Sequence, residues 1–237
     1  MKIITVSSLK GGVGKTTLAV FLARALVGMG KRVLTIDLDH NNNLTDYWLR
    51  DADCQRLEQT AIQHVLARRL ALGAAIMPGV VDIVAATPQL SKIGYELARD
   101  PGVAMRLRGA LKTLDYDYVI IDTPPSLSLE LTIGLYTADM VLVPVSASRW
   151  TVQGFQIIAD EVLAVSDAIG KAPEIMVVPS MVTTKEADAI QGAGLWKCSG
   201  YAVGRDPAVK NAVNTGKALT SDTVSYRAFM GIAGEVV

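Results

Sequence analysis

The stretch Lys10-Gly11-Gly12-Val13-Gly14-Lys15-Thr16-Thr17 decides how this chain is read. It is a phosphate-binding loop with two lysines where the common pattern, G-x-x-x-x-G-K-[ST], has one, and Leu9 stands where that pattern begins with glycine. The apolar run Ile3-Ile4-Thr5-Val6 precedes it, and Leu18, Phe21, Leu22, Ala25, Leu26 and Met29 follow on one helical face, so strand, loop and helix fall in the required order. Gly11, Gly12 and Gly14 allow backbone conformations closed to residues with a Cβ, so successive N–H groups, Val13 included, can curl around a phosphate chain at a helix N-terminus. Lys15 is placed to reach β- and γ-phosphate oxygens, Thr16 to offer a hydroxyl to Mg²⁺, and Thr17 to contact the α-phosphate. Lys10, at the loop's start, points away from the phosphates its own loop wraps. It either serves another group or covers apolar surface with its stem.

Outward from the loop, apolar β-branched runs recur at residues 3–6, 33–36, 80–85, 118–121, 140–145 and 175–178. Helices are predicted near 16–28, 60–71, 103–113, 129–137, 152–168 and 186–197. This alternation specifies an α/β fold, a mostly parallel doubly wound sheet with helices on both faces. Gly28 and Gly30 end the first helix, and Asp115-Tyr116-Asp117 turns the chain into the fourth strand. At 237 residues, without repeat or linker, residues 1–237 are expected to form a single domain.

Two strand ends carry carboxylates. The second strand finishes Thr35-Ile36-Asp37-Leu38-Asp39, and the fourth ends Ile120-Ile121-Asp122. In an open α/β sheet the carboxyl ends of strands face the ligand crevice. Asp122, after four apolar strand residues, has the Walker B arrangement that holds Mg²⁺ directly or through water. The alternative for Asp37 and Asp39 is a pair of caps ahead of a short helix.

Together these residues resemble the ParA/MinD family of P-loop ATPases. The family's deviant Walker motif, K-G-G-x-G-K-[ST], is matched in full by Lys10 to Thr16. Similarity continues through Ala138-Asp139-Met140-Val141-Leu142-Val143-Pro144-Val145, through Tyr201-Ala202-Val203-Gly204-Arg205 and through Thr215-Gly216-Lys217. The resemblance is closest to ParA-type partition ATPases lacking an N-terminal DNA-binding domain, since the first strand begins at residue 2. It implies ATP and Mg²⁺ as cofactors and a homodimer in the ATP state, with Lys10 reaching the partner's nucleotide. It further implies that Asp39 orients the attacking water, that Asp37 supports the metal shell, and that Thr123-Pro124-Pro125 form a second switch. Where the family typically reads D-x-D-P-Q-G-N, this chain reads Asp37-Leu38-Asp39-His40-Asn41-Asn42-Asn43, without the proline and glycine that bear on the loop's stiffness. Adenine contacts map to Pro179, Met181, Arg205 and Pro207, and nonspecific DNA contacts to Lys185, Arg205, Lys210, Lys217 and Arg227.

Composition bounds the remaining choices. Formal net charge is zero, so any DNA contact must come from a local patch. No apolar run approaches the roughly 18 residues of a spanning helix, and no signal-peptide pattern is present, so a cytoplasmic protein is expected; the resemblance implies that it is nucleoid-associated. Cys54 and Cys198 lack metal-site spacing, which argues against relatives with a bridging iron–sulfur cluster. The resemblance implies an ATPase of plasmid or chromosome partition, released from DNA when a centromere-binding ParB-like adaptor stimulates hydrolysis. The alternatives are positioning of a non-DNA cargo, or MinD-like work at a membrane surface. The latter family members end in a basic amphipathic helix, whereas no lysine or arginine follows Arg227, so stable membrane association is not expected.

Overall fold

In the computed structural model, which describes residues 1–100, 102–194 and 196–237, the chain runs β1 (Lys2–Val6), α1 (Lys15–Gly28), β2 (Val33–Asp37), α2 (Asn43–Leu49), α3 (Cys54–Thr60), α4 (Ile62–Leu66), α5 (Leu72–Ala75), β3 (Ile76–Met77) and β4 (Asp82–Val84). It continues through α6 (Leu90–Ala98), α7 (Val103–Leu111), β5 (Tyr118–Asp122), α8 (Leu129–Thr137), β6 (Met140–Val145), α9 (Arg149–Ile169), β7 (Glu174–Val182), α10 (Thr184–Gly192), β8 (Val203–Gly204), α11 (Pro207–Thr215) and α12 (Val224–Val236). One sheet of order β3-β4-β2-β5-β1-β6-β7-β8 results, parallel throughout except for β3 at one edge.

Alternation along the buried strands sends side chains to opposite faces. Ile4, Val6, Ile120, Leu142 and Val178 pack with α1, α2 and α12 on one side. On the other, Ile3, Ile36, Val119 and Ile121 meet α4, α6 and α7, and Val141, Val143 and Val177 meet α8 and α9. The α/β sheet with helices on both faces is therefore the observed fold.

Differences from the sequence reading have local causes. The helix expected over 60–71 stops at Leu66 because Arg68 takes φ +60° and the N–H groups of Arg69 and Leu70 both turn back to the His64 carbonyl. The strand expected over 80–85 shortens to Asp82–Val84, since Asp82 Oδ1 accepts from Gly79 N (3.1 Å) and holds a turn before it. The helix expected over 186–197 starts earlier, at a capping box in which Thr183 and Glu186 exchange hydrogen bonds. It ends at Gly192, and its predicted stretch over Leu195 lies outside the described residues. Strands β3 and β8, two residues each, are too short for a periodic signal.

The sheet register sets up the ligand crevice. Asp122 at the end of β5 is level with Val6 of β1 on one side and Asp37 of β2 on the other. Gly134 lets α8 lie close beneath: a Cβ there would sit 2.8 Å from Thr123 Cγ2 and 3.2 Å from Thr5 Cγ2.

Candidate nucleotide site

Helices α3, α8, α10, α11 and α12 each begin on a Ser, Thr or Asp side chain that accepts a backbone N–H. Helix α1 begins on Gly14, at φ +88°, with no side-chain cap. Its first N–H groups are left for a ligand, and the positive end of the helix dipole faces the same way. Gly12 is also left-handed, at φ +74°, which only glycine adopts without strain. The loop is tied from a distance: Ser180 Oγ, in β7, donates to the Val13 carbonyl at 2.8 Å. A Cβ on Gly14 would fall 3.0 Å from that same oxygen, so Gly14 is needed for space as well as for its φ. Ser180 has no motif around it, so no local sequence signal marks this contact.

Lys15, 8 % exposed, lies among carboxylates. Burial pushes its pKa down, opposed by the charges of Asp122 and Asp39. Thr16 Oγ1 donates to Asp122 Oδ2 at 2.6 Å. Burial, and then the neighbouring Asp37, push the Asp122 carboxyl up to about 8, while the Thr16 hydrogen bond and Lys15 act against them. Asp122 Oδ1 is buried with no hydrogen-bond partner among the described residues. A buried carboxylate oxygen without a partner beside a threonine hydroxyl is a hard-oxygen donor set that fits Mg²⁺, which takes one or two protein oxygens and completes its shell with phosphate and water. The site residues expected for the metal thus lie together, although Asp37 uses its oxygens differently. Its Oδ2 accepts from Thr45 N (3.0 Å) and Thr45 Oγ1 (2.8 Å), and its Oδ1 from Asp39 N (3.0 Å). Asp37 is fully buried, which raises its pKa to about 6 against those hydrogen bonds. It holds the loop that carries Asp39, and Thr45 Oγ1 passes the connection on by accepting from Ala86 N after β4.

Asp39 Oδ1 accepts from Asn41 N (2.9 Å) and Asn41 Nδ2 (3.0 Å), which orders the turn. Asn42 then takes φ +48°, ψ +33° as the residue before α2. The left-handed conformation that a glycine would supply is therefore kept by asparagine, one of the few other residues that tolerates it. Asn42→Ala is expected to cost about 1 kcal/mol in urea unfolding and Asn42→Gly to be neutral or slightly stabilising. Equal stability of all three proteins would show that the turn is not under this constraint.

Lys10 does not join this cluster. Its Nζ donates to Ser148 Oγ at 2.8 Å, at the start of α9. Beyond Gly14 and Thr17 a cavity of about 550 Å³ opens, of a size for a nucleoside. Met181, Arg205 and Pro207 line it as the sequence anticipated, whereas Pro179 remains inside β7 in register with Val145. Arg205 Nε donates to the Met181 carbonyl at 3.1 Å, and Met181 itself has φ +59° where β7 shifts register against β8. Phe229 of α12 and Asn214 of α11 also line the cavity, and no local pattern marks either. Lys210, anticipated as a DNA contact, lines the cavity too, while Lys185 lies beside an apolar groove against Phe155 and Ile190.

Comparison with known proteins agrees with this fold. A family model described as an AAA domain matches residues 1–175. The chain is 38 % identical over 159 residues to the sporulation initiation inhibitor protein Soj of Bacillus subtilis, covering 65 % of this chain and 61 % of that protein. It is 33 % identical over 171 residues to the chromosome partitioning protein ParA of Myxococcus xanthus, covering 65 % of this chain and 55 % of that one. The chain thus spans less than two thirds of either relative's length. A putative plasmid partition protein of Borrelia burgdorferi, bound to AMPPNP, has the same fold, with TM-score 0.84 and 22 % identity over 98 % of this chain and 97 % of that one.

Proposed function

The chain belongs to the ParA/MinD family of P-loop ATPases, and from that premise we propose that it is a Mg²⁺-dependent ATPase of DNA segregation that dimerises on ATP. The observation that carries the reading is the uncapped, glycine-led start of α1 beside Lys15 and the Thr16–Asp122 pair, with a second lysine, Lys10, held outside that cluster on Ser148. In this reading the loop N–H groups, Val13 among them, bind the phosphates and Lys15 neutralises β- and γ-phosphate charge. Thr17 contacts the α-phosphate, and the cavity beside Met181, Arg205 and Pro207 takes the base. Thr16 and Asp122 would hold Mg²⁺, which when bound draws charge from the phosphate oxygens. Asp39 positions the attacking water, and Asp37 fixes Asp39 through the loop it holds. Lys10 crosses to the nucleotide of the second copy, where it meets phosphate in place of Ser148. The ATP dimer binds nonspecific DNA, and a ParB-like adaptor stimulates hydrolysis and release. Residues 1–237 act as a single ATPase domain.

One feature supports DNA work over a membrane surface. Helix α12 spends its apolar side chains Phe229, Ile232 and Val236 on the core, with Phe229 stacked 5.0 Å from Phe21 of α1. That leaves little apolar face for lipid.

The test is co-sedimentation of the ATP-loaded Asp39→Ala protein with nonspecific DNA and, separately, with anionic vesicles. The expected result is a trapped dimer on DNA whose affinity falls steeply with salt, while Lys10→Ala binds ATP as a monomer and stays off DNA. Sedimentation with vesicles alone would favour the membrane function. A trapped dimer that binds neither would favour a non-DNA cargo.

A further inference from the structure

The zero net charge conceals an uneven distribution. Residues 54–112 carry eight arginines and lysines against four carboxylates, whereas residues 184–237, where the family resemblance looks for DNA contacts, carry six against five. The fold gathers part of the excess near the β3 edge of the sheet. There Arg68, Arg69 and Arg106 line a concavity of about 350 Å³ floored by Val65, Leu72 and Ala110.

Carboxylates answer this charge only in part. Glu96 gives both oxygens to Arg69, at 2.7 and 2.8 Å. Asp100 is shared, bound tightly by Arg106 and reached by Arg68 only at 3.7 Å. Arg106 also donates to the Leu66 carbonyl, which fixes its position. The side chains of Arg68 and Arg69 remain 69 % and 50 % exposed. Three guanidinium groups on two carboxylates leave a positive excess, and the exposed Lys92, one turn before Glu96 on α6, adds to it. The planar guanidinium fork matches phosphate oxygens in pairs. Duplex DNA presents roughly one charge per 1.7 Å of axis, enough to compete with two surface ion pairs that are themselves weak.

We infer that this α4–α7 edge, and not the carboxyl-terminal third, supplies the principal contact to the DNA phosphate backbone. The inference rests on the DNA-binding reading above and names its surface.

The experiment measures affinity of the full chain, loaded with ATP, for a nonspecific duplex across a salt series. It compares wild type, Arg68→Glu/Arg69→Glu, Arg68→Lys/Arg69→Lys and, from the other region, Lys217→Glu/Arg227→Glu. None of these side chains lies in the nucleotide site, so turnover without DNA serves as the folding control. The reversal at 68 and 69 is expected to weaken DNA binding at least about tenfold and to lower the salt slope by about two per protomer. The lysine pair keeps most of the affinity, because counterion release depends on charge. Should the double reversal fail to fold, Arg68→Glu alone, at the more exposed and loosely paired position, reads the same comparison. Unchanged binding in the 68/69 reversal, or an equal or larger loss in Lys217→Glu/Arg227→Glu, overturns the surface assignment and leaves the proposed function standing. A wild-type ATP state that binds no duplex overturns the proposed function, and this inference with it. Binding to anionic vesicles in place of duplex, lost in the 68/69 reversal, overturns the choice of DNA.

Discussion

Lys15→Ala is expected to abolish measurable nucleotide binding and to lower ATP turnover at least about 100- to 1,000-fold, the loss that follows removal of one preorganised charge at a phosphate or oxyanion. The side chain is 8 % exposed and sits with Asp122 and Asp39, so its removal leaves those carboxylates without their cation. The uncompensated negative charge then repels the triphosphate that the loop N–H groups are arranged to hold. Titration with a fluorescent ATP analogue, alongside phosphate-release kinetics, measures both effects. Binding within twofold of wild type would mean that Lys15 serves the internal carboxylates and not the phosphates. Lys15→Arg is expected to rescue little, since a planar, longer group cannot take the position of a buried ammonium.

Asp122→Asn is expected to separate stability from activity. Burial pushes the native carboxyl up to about 8, against 3.8 for the ordinary group, so the folded chain is expected to hold a proton that the unfolded chain releases between those values. Stability therefore falls with rising pH over this window: the contribution of Asp122 is complete below about 4 and is lost as pH rises through about 8. Asp37, raised to about 6, adds a slope of the same sign at lower pH. Asparagine keeps the shape and ends the titration, and its amide remains within reach of the Thr16 hydroxyl. In the nucleotide-free protein Asp122→Asn should raise Tm at pH 8 by roughly 5 to 10 °C, corresponding to a few kcal/mol, and the gain should vanish near pH 4. The same variant should lose Mg²⁺-dependent turnover, because the buried oxygen that fits the ion has gone. Tm against pH by calorimetry, with and without ATP and Mg²⁺, reads both. An identical pH profile in the two proteins would show that Asp122 is ionised without cost in the native chain, contrary to its burial and its lack of a partner at Oδ1 among the described residues. A carboxylate that costs the nucleotide-free fold stability in this way would be placed for a ligand, as the proposed function requires.

Much of the site was legible from residue order. The glycine pattern, Lys15, Thr16 and the aspartates at two strand ends depend on short stretches whose conformation their neighbours dictate, and these features lie together in the structure. Asp37 was legible in place but not in its contacts: Thr45 and the Asp39 backbone occupy its oxygens, and Thr45 lies eight residues downstream inside a helix that showed no advance signal. At His40-Asn41-Asn42 the sequence lacks the proline and glycine of the family pattern, and the structure shows that Asn42 keeps a left-handed turn there. The base cavity was half legible. Arg205 and Pro207 follow β8 as anticipated and Met181 lines the cavity from within β7, but Asn214 and Phe229 reach it only because α11 packs beside α2 and α12 over α1.

Patterns of nearest neighbours were enough for the alternating strands and helices, for the anion-binding start of α1 and for the carboxylates that close the crevice, because alternation, glycine freedom and strand-end position are local properties. Packing had to choose the rest. Ser180 ties down Val13 across 167 residues, and Lys10 rests on Ser148 across 138. Arg68, Arg69 and Arg106 become one edge only when α7 packs beside α4. Contacts of that separation depend on which strands lie side by side and on how closely their covering helices approach, and no window of the chain carries that information.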